Sequence, residues 1–173
     1  MPSSAVTDVV HRNAGACAKM TYPSPRPHGV ADPNMAVTSI FISSVQKELA
    51  AERRAVKTFV EGDPLLRQFF RVFLFEDLPA ADRRADDVYM REVDRCGIYV
   101  GLFGDEYGFE NDGGVSATER EFDRATLKSK QRLIFVKGAD DKGRHPKMAA
   151  LVKKATGQLV RRRFSATPEL TSA

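Results

Sequence analysis

The sequence predicts an α/β domain: an open, doubly wound sheet of five mainly parallel strands, most simply in the order 2-1-3-4-5. Three observations predict it. From Val37 onward, short apolar runs alternate with amphipathic segments of about 10–16 residues, the sequence form of repeated βα units. The apolar runs are continuous, as strands covered by helices on both faces must be. A composition of 42% hydrophobic and 29% charged residues, with 11 Phe, belongs to a chain that can bury a core, and 173 residues accommodate one ordinary domain with extensions.

Taken in order, residues 1–36 carry Pro23, Pro25, Pro27 and Pro33 among Ser, Gly and Asn, with no period of two or 3.6. They read as a disordered N-terminal tail that lacks the regions of a secretory signal. Met35 is the expected natural start, directly ahead of the first ordered-looking residues. The strands are expected at Thr38–Ser43, Val72–Phe75, Ile98–Phe103, Arg132–Lys137 and Gln158–Arg162. Ser43 and Gln46 form an S-x-x-Q capping box, followed by Val45, Leu49, Val56 and Val60 near helical spacing until Gly62-Asp63-Pro64. Asp86 to Arg95 directs Val88, Val93 and Cys96 inward, with Tyr89 and Met90 beside them. Ser116 and Glu119 form a second capping box ahead of an inward stripe of Thr118, Phe122, Ala125 and Ser129. Pro146 suits the first turn of a final helix bearing Met148, Leu151 and Val152. The domain is thus expected over residues 37–164, with 165–173 a C-terminal tail or the start of a further module.

Composition narrows the function classes. No apolar run approaches the roughly 20 residues that cross a bilayer, and Cys17 and Cys96 are too sparse for a disulfide framework. The reading is a cytoplasmic protein with no membrane partner. His11, His28 and His145 lie far apart without a second ligand at metal spacing, which argues against zinc. The net charge of +4 hides an asymmetry: Lys142 to Arg163 holds eight Lys or Arg and no acid, while the preceding residues are net acidic. Nucleic-acid binding through Lys153, Lys154 and Arg161–Arg163 has only this charge behind it, and a solvated helix face with a protected edge strand explains it better.

In a doubly wound sheet, ligands bind beyond the C-terminal strand ends beside the switch point. That rule selects Ser43–Ser44, Glu76–Asp87 and Gly104–Glu121. The chain has no GxxxxGK[ST], GxGxxG or GxSxG, so phosphate-loop, standard dinucleotide and serine-elbow chemistry are all unsupported. Ser43 and Ser44 either hold a phosphate or sugar oxygen or simply cap a helix. Arg83 and Arg84 either belong to a solvated charged loop or include one that grips a pyrophosphate, with Arg84 taken as the candidate. Gly104, Tyr107 and Gly108 fit a loop in which backbone passes close to a ligand beneath an aromatic ring, or a tight turn that packs Tyr107 on the sheet end. Glu119 and Glu121 point about 200° apart on a helix, so they cannot share a pocket. Capping accounts for Glu119; Glu121 has no capping duty and is either functional or part of a surface salt bridge.

Taken together, FISSVQKELAAER, FEDLPA, CGIYVGLFGDEYG and SATEREFDRA resemble the bacterial TIR-like domain-of-unknown-function family DUF4062, over about residues 37–164. The specific part is the order and spacing of Gly104, Tyr107, Gly108, Gly114, Ser116, Thr118, Glu119, Glu121, Phe122 and Ala125. The resemblance implies a flavodoxin-like (TIR-like) three-layer sandwich, shared with TIR domains and nucleoside deoxyribosyltransferases. In catalytic members of those relatives a helix-borne glutamate, followed by an apolar and then a small residue one turn on, cleaves the N-glycosidic bond of a nucleoside or NAD. Glu121-Phe122-x-x-Ala125 matches that position. By resemblance, this is a nucleotide-binding domain with Glu121 catalytic and Ser43, Ser44, Arg84, Gly104, Tyr107, Gly108 and Ser116 around the ligand. It would require no cofactor, with NAD or a nucleoside as substrate. One departure is Gly97, where members of the family often carry Asp. Such domains also self-associate or precede ATP-binding or signalling modules, which makes a non-catalytic sensing or interaction module the alternative expectation.

Overall fold

The computed structural model of the protein describes residues 36–78 and 85–172. The expected tail up to Met35, with His11, Cys17 and His28, and Arg84 in the segment 79–84 lie outside the described residues. In chain order the described elements are β1 (Thr38–Ser43), α1 (Ala50–Gly62), α2 (Leu66–Phe69), β2 (Phe70–Phe73), a 3-10 turn (Phe75–Asp77), α3 (Ala85–Arg95) and β3 (Ile98–Phe103). They continue with α4 (Ala117–Leu127), β4 (Gln131–Lys137), α5 (Pro146–Thr156), β5 (Arg161–Phe164) and α6 (Thr167–Thr171). The sheet has the order β2-β1-β3-β4-β5, and every pairing is parallel. Fold class and strand order are those the sequence predicts.

The pleat sorts the strand residues into two cores, because successive side chains leave a strand on opposite faces. Phe41, Tyr99, Phe103, Ile134 and Val136 pack with Val93 of α3, Phe122 and Ala125 of α4, and Met148, Leu151 and Val152 of α5. Ile40, Ile42, Val72, Val100 and Leu102 pack on the other face with Leu49 at the start of α1, Val60 of α1 and Leu170 of α6. The result is a three-layer α/β/α sandwich. Cys96 is a buried core residue, as its position in the sequence suggests.

Four local expectations are corrected. β2 lies two residues earlier than expected, at Phe70–Phe73; Arg71 interrupts the apolar run, yet it is exposed on an edge strand where a charge is tolerated. β5 is Arg161–Phe164 rather than Gln158–Arg162: three arginines disguise an edge strand whose inward residue is Phe164, paired with Lys137. The Ser43–Gln46 capping box does not form. Ser43 is the last residue of β1, paired with Gly101, and α1 begins only at Ala50 with Leu49 as a cap that lacks a side-chain bond. Ser129 is exposed at φ 51°, beyond the end of α4, and is not part of the inward stripe. The cap at Ser116 is real, since the Glu119 N–H donates to Ser116 Oγ at 3.3 Å, and Pro146 opens α5 as expected.

Residues 165–172 carry α6, whose Leu170 is 5% exposed in the α1-side core. Leu170→Ala is therefore expected to lower stability by about 2–4 kcal/mol, read as a lower urea midpoint at unchanged m-value. An unchanged midpoint would show α6 to be dispensable to the core.

Candidate functional site

A cleft of about 270 Å³ opens at the C-terminal end of β1, beside the switch point between β1 and β3. Its floor is Phe41, Ile42 and Ser44, followed by Val45 and Gln46 in the turn that leads to α1. Arg53 of α1, Phe75 and Tyr89 of α3 form the β2 side; Tyr107, Gly108, Phe109 and the first turns of α4, including Arg120 and Glu121, form the β3 side.

Glu121 is 4% exposed, and Ser43 Oγ donates to its Oε2 at 2.5 Å across 78 residues of sequence. β1 and α4 are thereby joined at the cleft by one short bond. The two phenols nearby respond to burial and to the glutamate. Burial first, and then the Glu121 charge, push the Tyr99 hydroxyl well above its ordinary range and raise that of Tyr89. Both phenols therefore stay neutral beside this carboxylate.

Glu119 faces away from the cleft, as helical geometry requires. Its carboxylate accepts from Tyr107 Oη at 2.5 Å and from Lys154 Nζ at 3.2 Å. Capping alone thus does not account for Glu119: its N–H completes the cap and its side chain anchors the loop above.

That anchoring matches the second of the two readings of Tyr107, a ring packed on the sheet end. Its ring is 3% exposed, stacked on His145 at 5.6 Å with an interplanar angle of 9°, and Lys147 Nζ lies 5.5 Å from the ring centroid. It packs the loop onto the sheet end and touches the cleft without offering an open face. Gly108, at φ +82°, lets the chain turn where a Cβ would sit 3.2 Å from Val45. Gly104 is behind the cleft wall and does not line it. A Cβ there would fall 2.3 Å from the Glu48 carboxylate, which accepts from the Asp105 and Glu106 N–H groups at 2.5 and 3.2 Å.

Of the residues selected from sequence, Glu121, Ser44, Tyr107 and Gly108 line the cleft, and Ser43 reaches it through Glu121. Ser116 is a buried helix cap outside the lining, and Arg84 lies outside the described residues. Sequence reasoning missed Arg53. Its side chain is 2% exposed and donates to Ile42 O at 3.0 Å, Ser44 Oγ at 3.1 Å and both Glu76 oxygens at 2.9 and 2.7 Å. The signal was present: Arg53 follows Leu49 by four residues and precedes Val56 by three, on the inward stripe of α1. Phe109 was missed as well, though it is the only apolar residue between Gly108 and Val115. Among the described residues no group of three His, Cys, Asp or Glu is placed to hold a metal, and no helix is long and apolar enough to cross a membrane.

A parallel 2-1-3-4-5 sheet with a cleft at its switch point defines an α/β domain of flavodoxin-like topology. The chain belongs to the DUF4062 family, a domain of unknown function, whose family model matches residues 39–172. No curated protein matches the chain. Among solved structures, the CMP N-glycosidase BcmB of Clostridium botulinum is similar with a TM-score of 0.50 at 8% identity, covering 78% of this chain and 95% of that one. It shares the fold. A 2-desoxiribosyltransferase from Leishmania mexicana matches with a TM-score of 0.41 at 17% identity, covering 57% of this chain and 64% of that one. The TIR domains of the activated Roq1 resistosome match with a TM-score of 0.46 at 11% identity, covering 70% and 72%.

The Arg53–Glu76 pair makes the site sensitive to acid. The Arg53 hydrogen bonds hold the Glu76 carboxyl below its ordinary value of 4.5. A carboxyl lowered on folding contributes stability that is fully present above its unfolded pKa and lost as pH falls through the folded one. Glu76→Gln is expected to cost roughly 2–4 kcal/mol at pH 7, since it strands a buried guanidinium, and to flatten the stability curve below about pH 4.5. Urea midpoints from pH 3 to 8 check both effects; parallel curves for the two proteins would refute the assignment.

Proposed function

We propose that this domain hydrolyses the N-glycosidic bond of a nucleotide-class substrate, NAD, a nucleoside or a nucleoside monophosphate, with Glu121 as the catalytic carboxylate. One observation carries the reading: a buried glutamate fixed by Ser43 at 2.5 Å, inside the cleft where this topology places ligands. Breaking the bond between C1′ and the base nitrogen builds positive charge on C1′ and the ring oxygen. A carboxylate held beside C1′ stabilises that oxocarbenium-like state or attacks C1′ directly. Water then supplies the new C1′–O bond; its proton goes to the departing base nitrogen of a nucleoside or nucleoside monophosphate, and to solvent for NAD, whose cationic nicotinamide leaves neutral, so no co-reactant beyond water is needed. The N-glycosidase activity in the name of the Clostridium botulinum protein, which shares this fold, supports the same reaction class.

Gly97 does not oppose this reading. It lies just before β3, at the opposite end of the strand from the cleft, where its N–H donates to Ser39 O at 2.9 Å. A Cβ there would meet Thr38 Cγ2 at 2.6 Å. An acid at position 97 would sit roughly a strand length, about 20 Å, from Glu121's end of the sheet.

Base release from NAD, CMP and common nucleosides tests the proposal. Glu121→Gln is expected to lower kcat at least about 10³-fold, whereas Glu119→Gln should stay within about tenfold, through loosening of the Tyr107 loop alone. Loss in Glu119→Gln with retention in Glu121→Gln would overturn the assignment. No release from any substrate by the wild type would favour the alternative, a sensing or interaction module that self-associates or serves a downstream ATP-binding module.

A further inference from the structure

Phe109 is 91% exposed, yet it lines the cleft that contains Glu121 and also the larger open groove toward His145. An apolar ring this exposed usually sits on a loose loop. This one sits between fixed neighbours. On one side Tyr107 is buried against His145 and bonded to Glu119, and Gly108 turns against Val45. On the other, Glu110 pairs with Lys147 at 2.5 Å and bridges to Ser116. The backbone that carries Phe109 is thus held at both ends while the ring is left in solvent at the cleft rim. Across β1, on the β2 side, Phe75 and Tyr89 stack at 4.2 Å and supply a second aromatic surface to the same cleft. A presented ring costs little conformational freedom on binding, because Phe has only two side-chain torsions to fix.

We propose that Phe109 is the base-binding residue of this site: the planar base of the substrate stacks on its ring while C1′ of the attached sugar faces Glu121. The inference rests on the reading of the cleft as a nucleotide site. It adds a selection rule, since stacking accepts any base and rejects a sugar phosphate that lacks one.

The sequence offers a direct probe, because the chain contains no Trp. In Phe109→Trp the substituted position carries the sole indole, and the Glu121→Gln background holds substrate without turnover. Titration of that double variant with CMP and with NAD is expected to quench its fluorescence, while ribose 5-phosphate leaves it unchanged. In parallel, Phe109→Ala should raise KM about tenfold or more with kcat within about threefold, and Phe109→Tyr or Phe109→Trp should restore it. The exposed ring supports no packing, so the Ala variant keeps the fold. Wild-type turnover with an unchanged KM in Phe109→Ala overturns the stacking and leaves the glycosidase reading intact. Quenching by base-bearing ligands without turnover by the wild type supports the stacking and overturns the glycosidase. Neither quenching nor turnover overturns both.

Discussion

The cleft depends on a charge buried at the end of a strand. Where β1 stops, its last carbonyl groups lose the ladder that would satisfy them, and an orphaned buried carbonyl is costly. The Arg53 guanidinium takes Ile42 O and Ser44 Oγ with one nitrogen and spends the rest of its fork on Glu76. Dehydrating an arginine is itself unfavourable, and only a full set of partners offsets it. Glu76 is therefore drawn back toward α1. The 3-10 turn Phe75–Asp77 is the backbone consequence, and it brings Phe75 against Tyr89 as one wall of the cleft. Lys57 fastens the same turn through Asp77 at 2.6 Å.

The same solution recurs on the β3 side. Arg144, its side chain fully buried, donates to Gly104 O beyond β3 and to Lys137 O at the end of β4, with Asp141 as its acid partner. Arg163 takes Gly138 O one residue further on. The C-terminal strand ends are thus closed by guanidinium groups rather than by a glycine-rich phosphate loop. Two of the eight basic residues between Lys142 and Arg163, Arg144 and Arg163, are used in this way. The β3–α4 loop is anchored further by Glu48 under Asp105 and Glu106, by Glu119 under Tyr107 and by Lys147 on Glu110.

The elements legible in the sequence were those whose burial matched their composition. β1 and β3 are continuous apolar runs between two helical layers, and α4 and α5 carry both a cap and an inward stripe. β2 and β5 were displaced because edge strands bury one side and tolerate Arg71 or Arg161–Arg163 on the other. The Ser43 capping box failed for a different reason: β1 runs through Ser43 and α1 begins only at Ala50, so no helix start reaches the hydroxyl, which donates instead to the distant Glu121, a partner the local pattern cannot show. Helical geometry did separate Glu121 from Glu119, since the 3.6-residue period is independent of tertiary context. Arg53 stayed hidden because a charge on an inward stripe reads as a break in the stripe, although here it is the residue the stripe delivers.

What the two walls enclose is a buried carboxyl group held in one direction by Ser43. Tyr89 and Tyr99 remain neutral beside Glu121, so they add apolar body and polarity without a competing charge. Ser43 holds the carboxylate from a rigid central strand, so little reorganisation is left for the moment when charge changes. The proposed reaction would use such a group because it stabilises a sugar acquiring positive charge more than a neutral one, the differential binding that catalysis requires. A surface glutamate in a salt bridge would offer neither the burial nor the fixed direction. The distinction between Glu121 and Glu119 is therefore electrostatic as well as geometric: one is held at a buried strand end, and the other is paired with Lys154 and spent on keeping a loop in place.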